Sequence, residues 1–337
     1  MTAVKNRDIT ALTPELCEYF LRAVSAPPPA ADQLGEALAI SKAFLAAATG
    51  RAGSFQAMRD TETDEALARA FYDPLAEAIA LRLARFTSGR RAPVHAWALL
   101  GALYFYAVKF LVWDKAAVPH GAAVAAASLC ANGISRRPFP WWGPAATGPS
   151  QAVPAPGDTR GRMLAAAEES FGRSGYNATL VSDIARKAGV SAGNFYLFFG
   201  SKQKALETVV KRLRDSLVKK AAAYSAGAGS RVETEAMSFW ALFDFIQEHP
   251  HGYRIMREAE TADRELADAY YGEIFRNYAG QLSRAGEGEF TIKDPELLAL
   301  ALMGAGHMLG MKRVLRGGLR GITDNELLKA VFEGVRE

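Results

Sequence analysis

A short basic stretch in the middle of the chain carries the side chains best suited to binding chemistry. Ser191, Gly193 and Asn194 are small or polar and stand at the predicted start of a helix, where bulk would block close approach to a groove. The amide of Asn194 can pair with adenine, and Tyr196 can reach a phosphate or a thymine methyl group. Lys202 stands at the start of the next helix, where a bound phosphate would offset the unfavourable position of a cation. These residue types in this order indicate nucleic-acid recognition.

The charge of the chain is concentrated around these residues. The 337-residue chain has a net charge of +4, yet residues 159–220 hold twelve basic and five acidic residues, which leaves −3 on the rest. A basic segment on a near-neutral body is typical of a module that binds a polyanion. Half of the residues are hydrophobic and alanine is abundant, which favours a mostly helical globular protein.

Helical periodicity provides the frame for the basic stretch. Met163, Leu164, Ala167 and Phe171 repeat on one face and predict a helix over residues 160–174. Aromatic residues further on are interpreted as core rather than as base-stacking groups. They are Phe195, Phe198 and Phe199.

Two more helices follow and form a helix-turn-helix pattern. Thr179 is predicted to cap the second helix, and Gly189 supplies the positive φ that a tight turn needs. Ser191 is predicted to cap a third helix over residues 192–198, and Ser201 to cap a fourth. A helix, a glycine-containing turn and a second helix are the signature of this DNA-binding motif.

The residues of this motif also resemble those of a known family. The resemblance is carried by Thr179, Val181, Asp183, Ile184, Ala185, Ala188, Gly189, Val190, Ser191, Gly193, Asn194, Phe195, Tyr196, Phe199, Ser201, Lys202 and Leu206. This pattern resembles the DNA-binding domain of the tetracycline-repressor (TetR/AcrR) family. It implies a three-helix DNA-binding domain joined by a long helix to an all-helical ligand-binding and dimerisation domain. It also implies that the positions contacting DNA are Thr179, Ser191, Gly193, Asn194, Tyr196 and Lys202.

The regions on either side of the basic segment resemble each other. Residues 55–63 and 253–261 share four identities at a constant offset, and further matches continue the series with few gaps. The matched pairs include Met58 and Met256, Arg59 and Arg257, Glu62 and Glu260, Thr63 and Thr261, Pro93 and Pro295, Gly101 and Gly304, and Lys109 and Lys312. We interpret this as an internal duplication rather than a chance similarity of alanine-rich helices.

The duplication and the motif together predict an all-α chain in which one TetR-like helix-turn-helix domain is flanked by two TetR-like ligand-binding domains. The predicted parts are an N-terminal ligand-binding domain without its own helix-turn-helix (1–134), a proline-rich linker (135–158), the helix-turn-helix domain (159–205) and a C-terminal ligand-binding and dimerisation domain (206–337). A palindromic operator needs two such motifs, so a homodimer is expected. It would pair through helices at 294–315 and 323–335, with the N-terminal domain pairing within the chain or across it.

One apolar stretch, residues 94–113, is long enough to span a bilayer. Its duplicate at 294–315 carries acidic residues and glycines, which favours a helix buried against protein in both copies. Cys17 and Cys130 have no disulfide or metal-ligand spacing and are expected to be buried thiols. No apolar leader is recognisable, so we expect a cytoplasmic, nucleoid-associated protein without a membrane partner.

A pocket for a small hydrophobic effector is expected between the helices of the C-terminal domain. The candidate residues are Trp240, Phe245, Tyr253, Met256, Arg257, Tyr270, Tyr271 and His307. Each could equally be a core or interface residue. The sequence has no P-loop, nucleophile elbow, GxGxxG motif or metal-ligand cluster, so neither an enzyme nor a cofactor is expected. The sequence favours a ligand-responsive repressor on an operator, with an interaction protein whose motif no longer binds DNA as the alternative.

Overall fold

Helices account for the regular structure of this chain, seen here in a computed structural model. The structure describes residues 2–59, 64–88, 90–137, 158–249, 251–262, 264–286, 288–315, 319 and 321–334. Within these ranges there are fifteen α-helices and a single isolated β-bridge, with no β-strand. The helices are α1 Thr2–Ser25, α2 Gln33–Gly50, α3 Ala52–Arg59, α4 Glu65–Leu83, α5 Ala92–Ala107, α6 His120–Asn132, α7 Thr159–Ser174, α8 Val181–Lys187, α9 Ala192–Phe199, α10 Lys202–Ser225, α11 Arg231–Glu248, α12 Gly252–Ala262, α13 Arg264–Leu282, α14 Pro295–Leu315 and α15 Asp324–Phe332. The predicted all-α fold is confirmed.

The helices gather into two compact units. The first contains Met1–Trp141, Ala228–Phe239 and Gly272–Glu337, and the second contains Trp142–Gly227 and Trp240–Tyr271. The predicted domain boundaries stay a prediction, because these units divide the region after residue 205 differently, cutting through α11 and α13. Most of the predicted linker, residues 138–157, lies outside the described residues.

The first unit is built around α5. Fifteen of the sixteen residues of this helix are buried, and a π-helical segment, Val108–Trp113, continues it. The continuous 22-residue stretch is apolar enough to cross a membrane by length and composition, but 78% of its most apolar window is buried inside the protein. Helices α2, α4, α6 and α14 pack around it. Protein contacts therefore explain its hydrophobicity, as expected from its duplicate.

The buried thiols that the sequence predicts are present in this unit. Cys17 and Cys130 are free and buried. The Cys17 thiol donates to the carbonyl of Phe71 at 3.6 Å, and burial raises the pKa of Cys130 to about 12. Both cysteines therefore act as small core residues rather than as reactive groups.

The closest helix contact of the first unit joins α5 to α14. A Cβ atom built on Gly101 would overlap the carbonyl of Gly304, and a Cβ built on Gly304 would overlap the carbonyl of Gly101. Only hydrogen atoms fit at this crossing, so the two backbones touch. The glycines that the sequence comparison pairs with each other are thus in direct contact.

The order of helix lengths supports the predicted duplication. Helices α1 and α10 both have 24 residues, α2 and α11 both have 18, and α4 and α13 both have 19. The short helices α3 and α12 follow in the same place, and the series ends in both halves with a long apolar helix and a shorter one. Helices α7, α8 and α9, which form the helix-turn-helix segment, precede α10 and belong to neither of the two matched series.

Replacing Gly101 with alanine should lower the free energy of unfolding by about 2 kcal/mol or more, since overpacking a tight contact costs ~1–3 kcal/mol and the new methyl group would overlap the Gly304 carbonyl. The matched control is Gly280→Ala in α13, where nothing lies within 4 Å of the added atom. The control should be neutral or more stable by up to ~1 kcal/mol, as alanine favours helices. Urea unfolding followed by circular dichroism measures both, and equal stabilities would contradict the contact.

Candidate nucleic-acid interface

Helices α7 to α10 form a small core that holds the helix-turn-helix. Met163 and Phe171 of α7, Ile184 of α8 and Phe195 of α9 are fully buried. Phe199 is also buried, at 6% exposure. The predicted helix over residues 160–174 is confirmed as α7, Thr159–Ser174. The predicted helix over residues 192–198 is confirmed as α9, which ends one residue later.

The turns and caps between these helices follow the sequence signals. Gly189 has φ of 71°, as the tight turn between α8 and α9 requires. The Ser191 hydroxyl accepts the backbone N–H of Asn194 at 3.3 Å. The Ser201 hydroxyl accepts that of Lys204 at 3.1 Å. The predicted caps of α9 and α10 are therefore confirmed, and they fix where each helix begins.

The first turn of α9 is open to solvent. Ser191, Gly193 and Asn194 are all exposed, and the Tyr196 side chain is 53% exposed. A Cβ on Gly193 would meet only the Ser191 hydroxyl, at 3.7 Å, so this glycine lies in open space. These four predicted contact residues thus share one accessible surface on a helix whose other side is buried by Phe195.

Apolar side chains extend this surface in a way that the sequence did not indicate. Phe198 was expected in the core but is 44% exposed, although it is only three positions from the buried Phe195. Leu197 is 85% exposed and Leu180, just before α8, is 60% exposed. The exposure of these residues was not predicted, because apolar residues in a helix are expected to face the core.

Thr179 departs from its predicted role as a helix cap. Its side chain is almost fully buried, and its hydroxyl donates back to the carbonyls of Gly175 at 2.7 Å and Ser170 at 3.1 Å. The N-cap of α8 is Leu180, without a side-chain cap. The prediction that Thr179 caps this helix is wrong, because its hydroxyl bonds to carbonyls at the end of α7 instead. Its contact with DNA stays a prediction.

Lys202 is also occupied by the protein. Its ammonium group donates to the carbonyls of Tyr176 at 2.9 Å, Thr179 at 3.1 Å and Asn177 at 3.4 Å. It also lies over the Tyr176 ring, 4.5 Å from the centroid. All three ammonium N–H groups therefore have partners in the loop between α7 and α8. The geometry makes Lys202 a clamp on that loop, where the sequence suggested a phosphate ligand.

Glu258 of α12 holds the same loop from the other side. Its carboxylate accepts the backbone N–H of Tyr176 at 2.6 Å and pairs with Arg254 at 2.9 Å. A second tie joins Glu168 of α7 to His249 at 3.1 Å. Glu258 was not predicted from the sequence, because its partner is a backbone amide 82 positions away. Helix α12 is thereby coupled to the helix-turn-helix within the second unit.

Ion pairs reduce the basic excess around the motif. Arg186 pairs with Asp183 at 2.7 Å, and Lys187 pairs with Glu169 at 2.5 Å. The hydrogen bond from Lys187 holds the pKa of Glu169 below its usual value. Such exposed pairs contribute little to stability; the first lies within α8, and the second joins α8 to α7.

The predicted ligand-pocket residues fall into different places. Phe245 is buried 4.8 Å from the His249 ring, and Trp240 and Met256 are half-buried. The side chains of Tyr253, Arg257, Tyr270 and Tyr271 lie outside the described residues. His307 belongs to the first unit, where it stacks on Tyr104 of α5 with centroids 5.5 Å apart. This histidine is therefore part of the α5–α14 contact.

An open groove of about 590 Å³ lies between α1 and α2. Its lining consists of Glu15, Tyr19, Arg22, Ala23, Ala43, Ala46, Ala47 and Arg51. None of the eight predicted pocket residues borders it. The effector pocket therefore remains a prediction.

The helix-turn-helix segment is similar to a known protein family. Residues 163–209 match the family model described as bacterial regulatory proteins, tetR family. The match spans α7, α8, α9 and the beginning of α10, which is the segment that holds the exposed surface of α9.

Curated relatives cover part of the chain. The chain is 35% identical over 140 residues to the HTH-type transcriptional activator FasR of Mycolicibacterium smegmatis, a match that covers 38% of this chain and 64% of the relative. It is 33% identical over 113 residues to the transcriptional repressor KstR2 of the same organism, covering 34% and 54%. A TetR-like regulator from Rhodococcus sp. RHA1 superposes with a TM-score of 0.44 and 24% identity, over 51% of this chain and 92% of that one. The chain thus spans less than two thirds of either curated relative.

Replacing Thr179 with valine should lower the free energy of unfolding by ~1–3 kcal/mol, because it removes a buried hydroxyl that bonds to the carbonyls of Gly175 and Ser170. Thr208→Val is the matched control, since that hydroxyl also bonds to the backbone, at 2.7 Å from the Lys204 carbonyl, but in an exposed setting. The control should change stability by less than ~1 kcal/mol. Chemical unfolding of the two variants checks this, and equal effects would show that the Thr179 hydroxyl is dispensable.

Proposed function

We propose, from the premise that residues 163–209 form a DNA-binding domain of the tetR family, that this chain is a transcriptional regulator that binds double-stranded operator DNA. The observation that carries the proposal is the exposed first turn of α9 on a fully buried core. In a helix-turn-helix, the residues at this position contact base edges in the major groove. The alternative, a motif that no longer binds DNA, predicts no operator complex.

The exposed residues have distinct roles in this proposal. Asn194 offers an amide that can bond to both hydrogen-bonding atoms of an adenine edge. Tyr196 carries its hydroxyl on an exposed ring within reach of a phosphate or a thymine methyl group. Ser191 and Gly193 keep the approach free of bulk, and Ser191 also caps the helix.

Lys202 acts through the loop in this proposal rather than on the DNA. Its ammonium is shared among three carbonyls between α7 and α8. Thr179 supports the same loop from beneath. Both residues therefore set the angle at which α8 and α9 are presented, and only the remaining predicted residues touch DNA.

The proposal extends to the assembly and its regulation. A palindromic operator has half-sites about 34 Å apart and needs two helix-turn-helix motifs, so two chains bind each operator. Repression is the expected sign, because bound protein blocks access to the promoter. The site of action is the cytoplasm, at the nucleoid. A small apolar effector is expected to bind among helices that include α11 and α12, where buried Phe245 and half-buried Met256 lie.

Asn194→Ala and Tyr196→Ala should each weaken operator binding by roughly ten- to a hundred-fold while leaving the unfolding midpoint unchanged, since a base contact is worth ~1–3 kcal/mol. Fluorescence anisotropy with DNA flanking the gene measures this at several salt concentrations. Leu81→Ala is the control, because this α4 side chain is 69% exposed and lies outside the motif. If the wild-type protein showed no salt-dependent binding to this DNA, the proposed function would be wrong.

Lys202→Met should lower both the unfolding midpoint and the operator affinity, yet leave the dependence of affinity on salt unchanged. A lost phosphate contact instead reduces the slope of log affinity against log salt by about 0.9. Lys204→Met is the stability control, since Lys204 is exposed in the same helix turn. A reduced slope at an unchanged midpoint would restore Lys202 as a phosphate ligand.

The effector is sought by thermal shift. Apolar carboxylic acids, their thioesters and aromatic compounds should raise the unfolding temperature, as a ligand that binds only the folded state must. A promoter-reporter assay with and without the stabilising compound then gives the sign of regulation. The absence of stabilisation by all three classes would remove the hydrophobic effector from the proposal.

A further inference from the structure

We propose that the first unit is an internally paired dimer, in which α5 and α6 with α14 and α15 of the same chain form the two sides of one interface. This surface is then closed to a second copy of the chain. The proposal concerns the packing of the first unit alone and holds whether or not the helix-turn-helix binds DNA.

The contacts at this interface are reciprocal. Gly101 and Gly304 each leave room only for the other's carbonyl. A reciprocal contact also occurs just after the ends of α6 and α15. A Cβ on Gly133 would overlap the backbone of Phe332, and a Cβ on Gly334 would overlap the backbone of Gly133. Gly133 and Gly334 have φ of 65° and 64°. Reciprocal contacts between equivalent positions are the mark of a two-fold interface between identical subunits.

Two lysines at matched positions also reach across the interface, although their partners differ in kind. Lys312 of α14 pairs with Asp73 of α4 at 3.4 Å and lies over the Trp97 ring at 5.0 Å. Its sequence partner Lys109, in the extension of α5, lies over the ring of Phe275 in α13 at 5.2 Å. Lys312 of α14 thus contacts α4, and Lys109, in the extension of α5, contacts α13. Helices α4 and α13 occupy the same place in the two series of helices.

Backbone bonds close the second pair of helices. The N–H groups of Ile134 and Ser135, after α6, donate to the carbonyls of Val331 at 3.0 Å and Phe332 at 2.8 Å at the end of α15. Tyr106 of α5 donates to the carbonyl of Leu297 at 2.9 Å. Burial raises the pKa of the Tyr106 hydroxyl above its ordinary value, which keeps it a donor.

The apolar faces that a second chain would need are already covered. Leu298, Ala305 and Met308 of α14 and Leu328 and Val331 of α15 have exposures of 1% or less. A dimer through these helices would first have to expose these apolar side chains to water, which is unfavourable. Two chains on an operator must therefore meet through a surface other than this one.

Carbodiimide cross-linking of the full-length, DNA-free protein tests whether the interface forms within one chain. Unlabelled and ¹⁵N-labelled chains are mixed, unfolded in urea, refolded together and treated with the reagent, which couples amines to neighbouring carboxylates. Peptide pairs containing Lys312 and Asp73 are then sorted by mass. Lys312→Arg is the matched control, since it keeps the charge and removes the reactive amine.

The expected result is Lys312–Asp73 pairs in which both peptides carry the same label. Pairs with mixed labels, at about half of the total, would show that two chains exchange halves and would overturn the proposal. An absent Lys312–Asp73 pair would also overturn it when Lys220 still couples to Glu248, which lies 2.7 Å away in the second unit. Because no DNA is present, failure here is distinguishable from failure to bind an operator.

Discussion

The contact between the backbones of Gly101 and Gly304 is the constraint on which the first unit depends. Helix α5 has almost no polar face, so it needs protein on every side to exist in water. Side chains larger than hydrogen at the crossing would hold α14 away and open the apolar seam. The close fit at this crossing lets α14 cover the apolar stretch, whose most apolar window is 78% buried.

The second unit uses its polar residues for positioning as much as for binding. The loop between α7 and α8 is held by Lys202 from α10, by Glu258 from α12 and by the buried hydroxyl of Thr179. These three groups act on the position of the loop and therefore of α8, which begins directly after it. The hydrogen bond from the Tyr176 N–H to Glu258 also connects α12 to the loop between α7 and α8. A movement of α12 would therefore act on this loop.

Patterns of local origin were predictable from the sequence, and long-range partners were not. The caps at Ser191 and Ser201 and the turn at Gly189 depend on neighbouring residues, and the structure has all three. Thr179 shows the limit, since a hydroxyl near a helix start can equally bond backwards to the preceding helix. Phe198 shows a second limit. A helix of only two turns is too short for its periodicity to show which aromatic side chains face the core.

Pairs of distant residues needed the fold. The duplication brought Gly101 and Gly304 to attention as equivalents but gave no sign that they touch. His307 was placed with a ligand pocket because an isolated histidine among apolar residues suits a polar anchor. The structure instead stacks it on Tyr104, and only the packing of α5 on α14 could have revealed that partner. The exposed Leu197 was likewise invisible to a pattern that expects apolar side chains inside.

Joining both partners of an interface in one polypeptide changes its thermodynamics and its evolution. A pairing between separate chains weakens on dilution, whereas partners on one chain remain at a fixed effective concentration at any protein level in the cell. A substitution in a symmetric dimer of identical chains changes both sides of the interface, whereas a substitution at Gly101 leaves Gly304 unchanged. In the proposed pairing, the two halves are therefore free to diverge. The stacking of His307 on Tyr104 is an example, because it joins two different side chains across the interface.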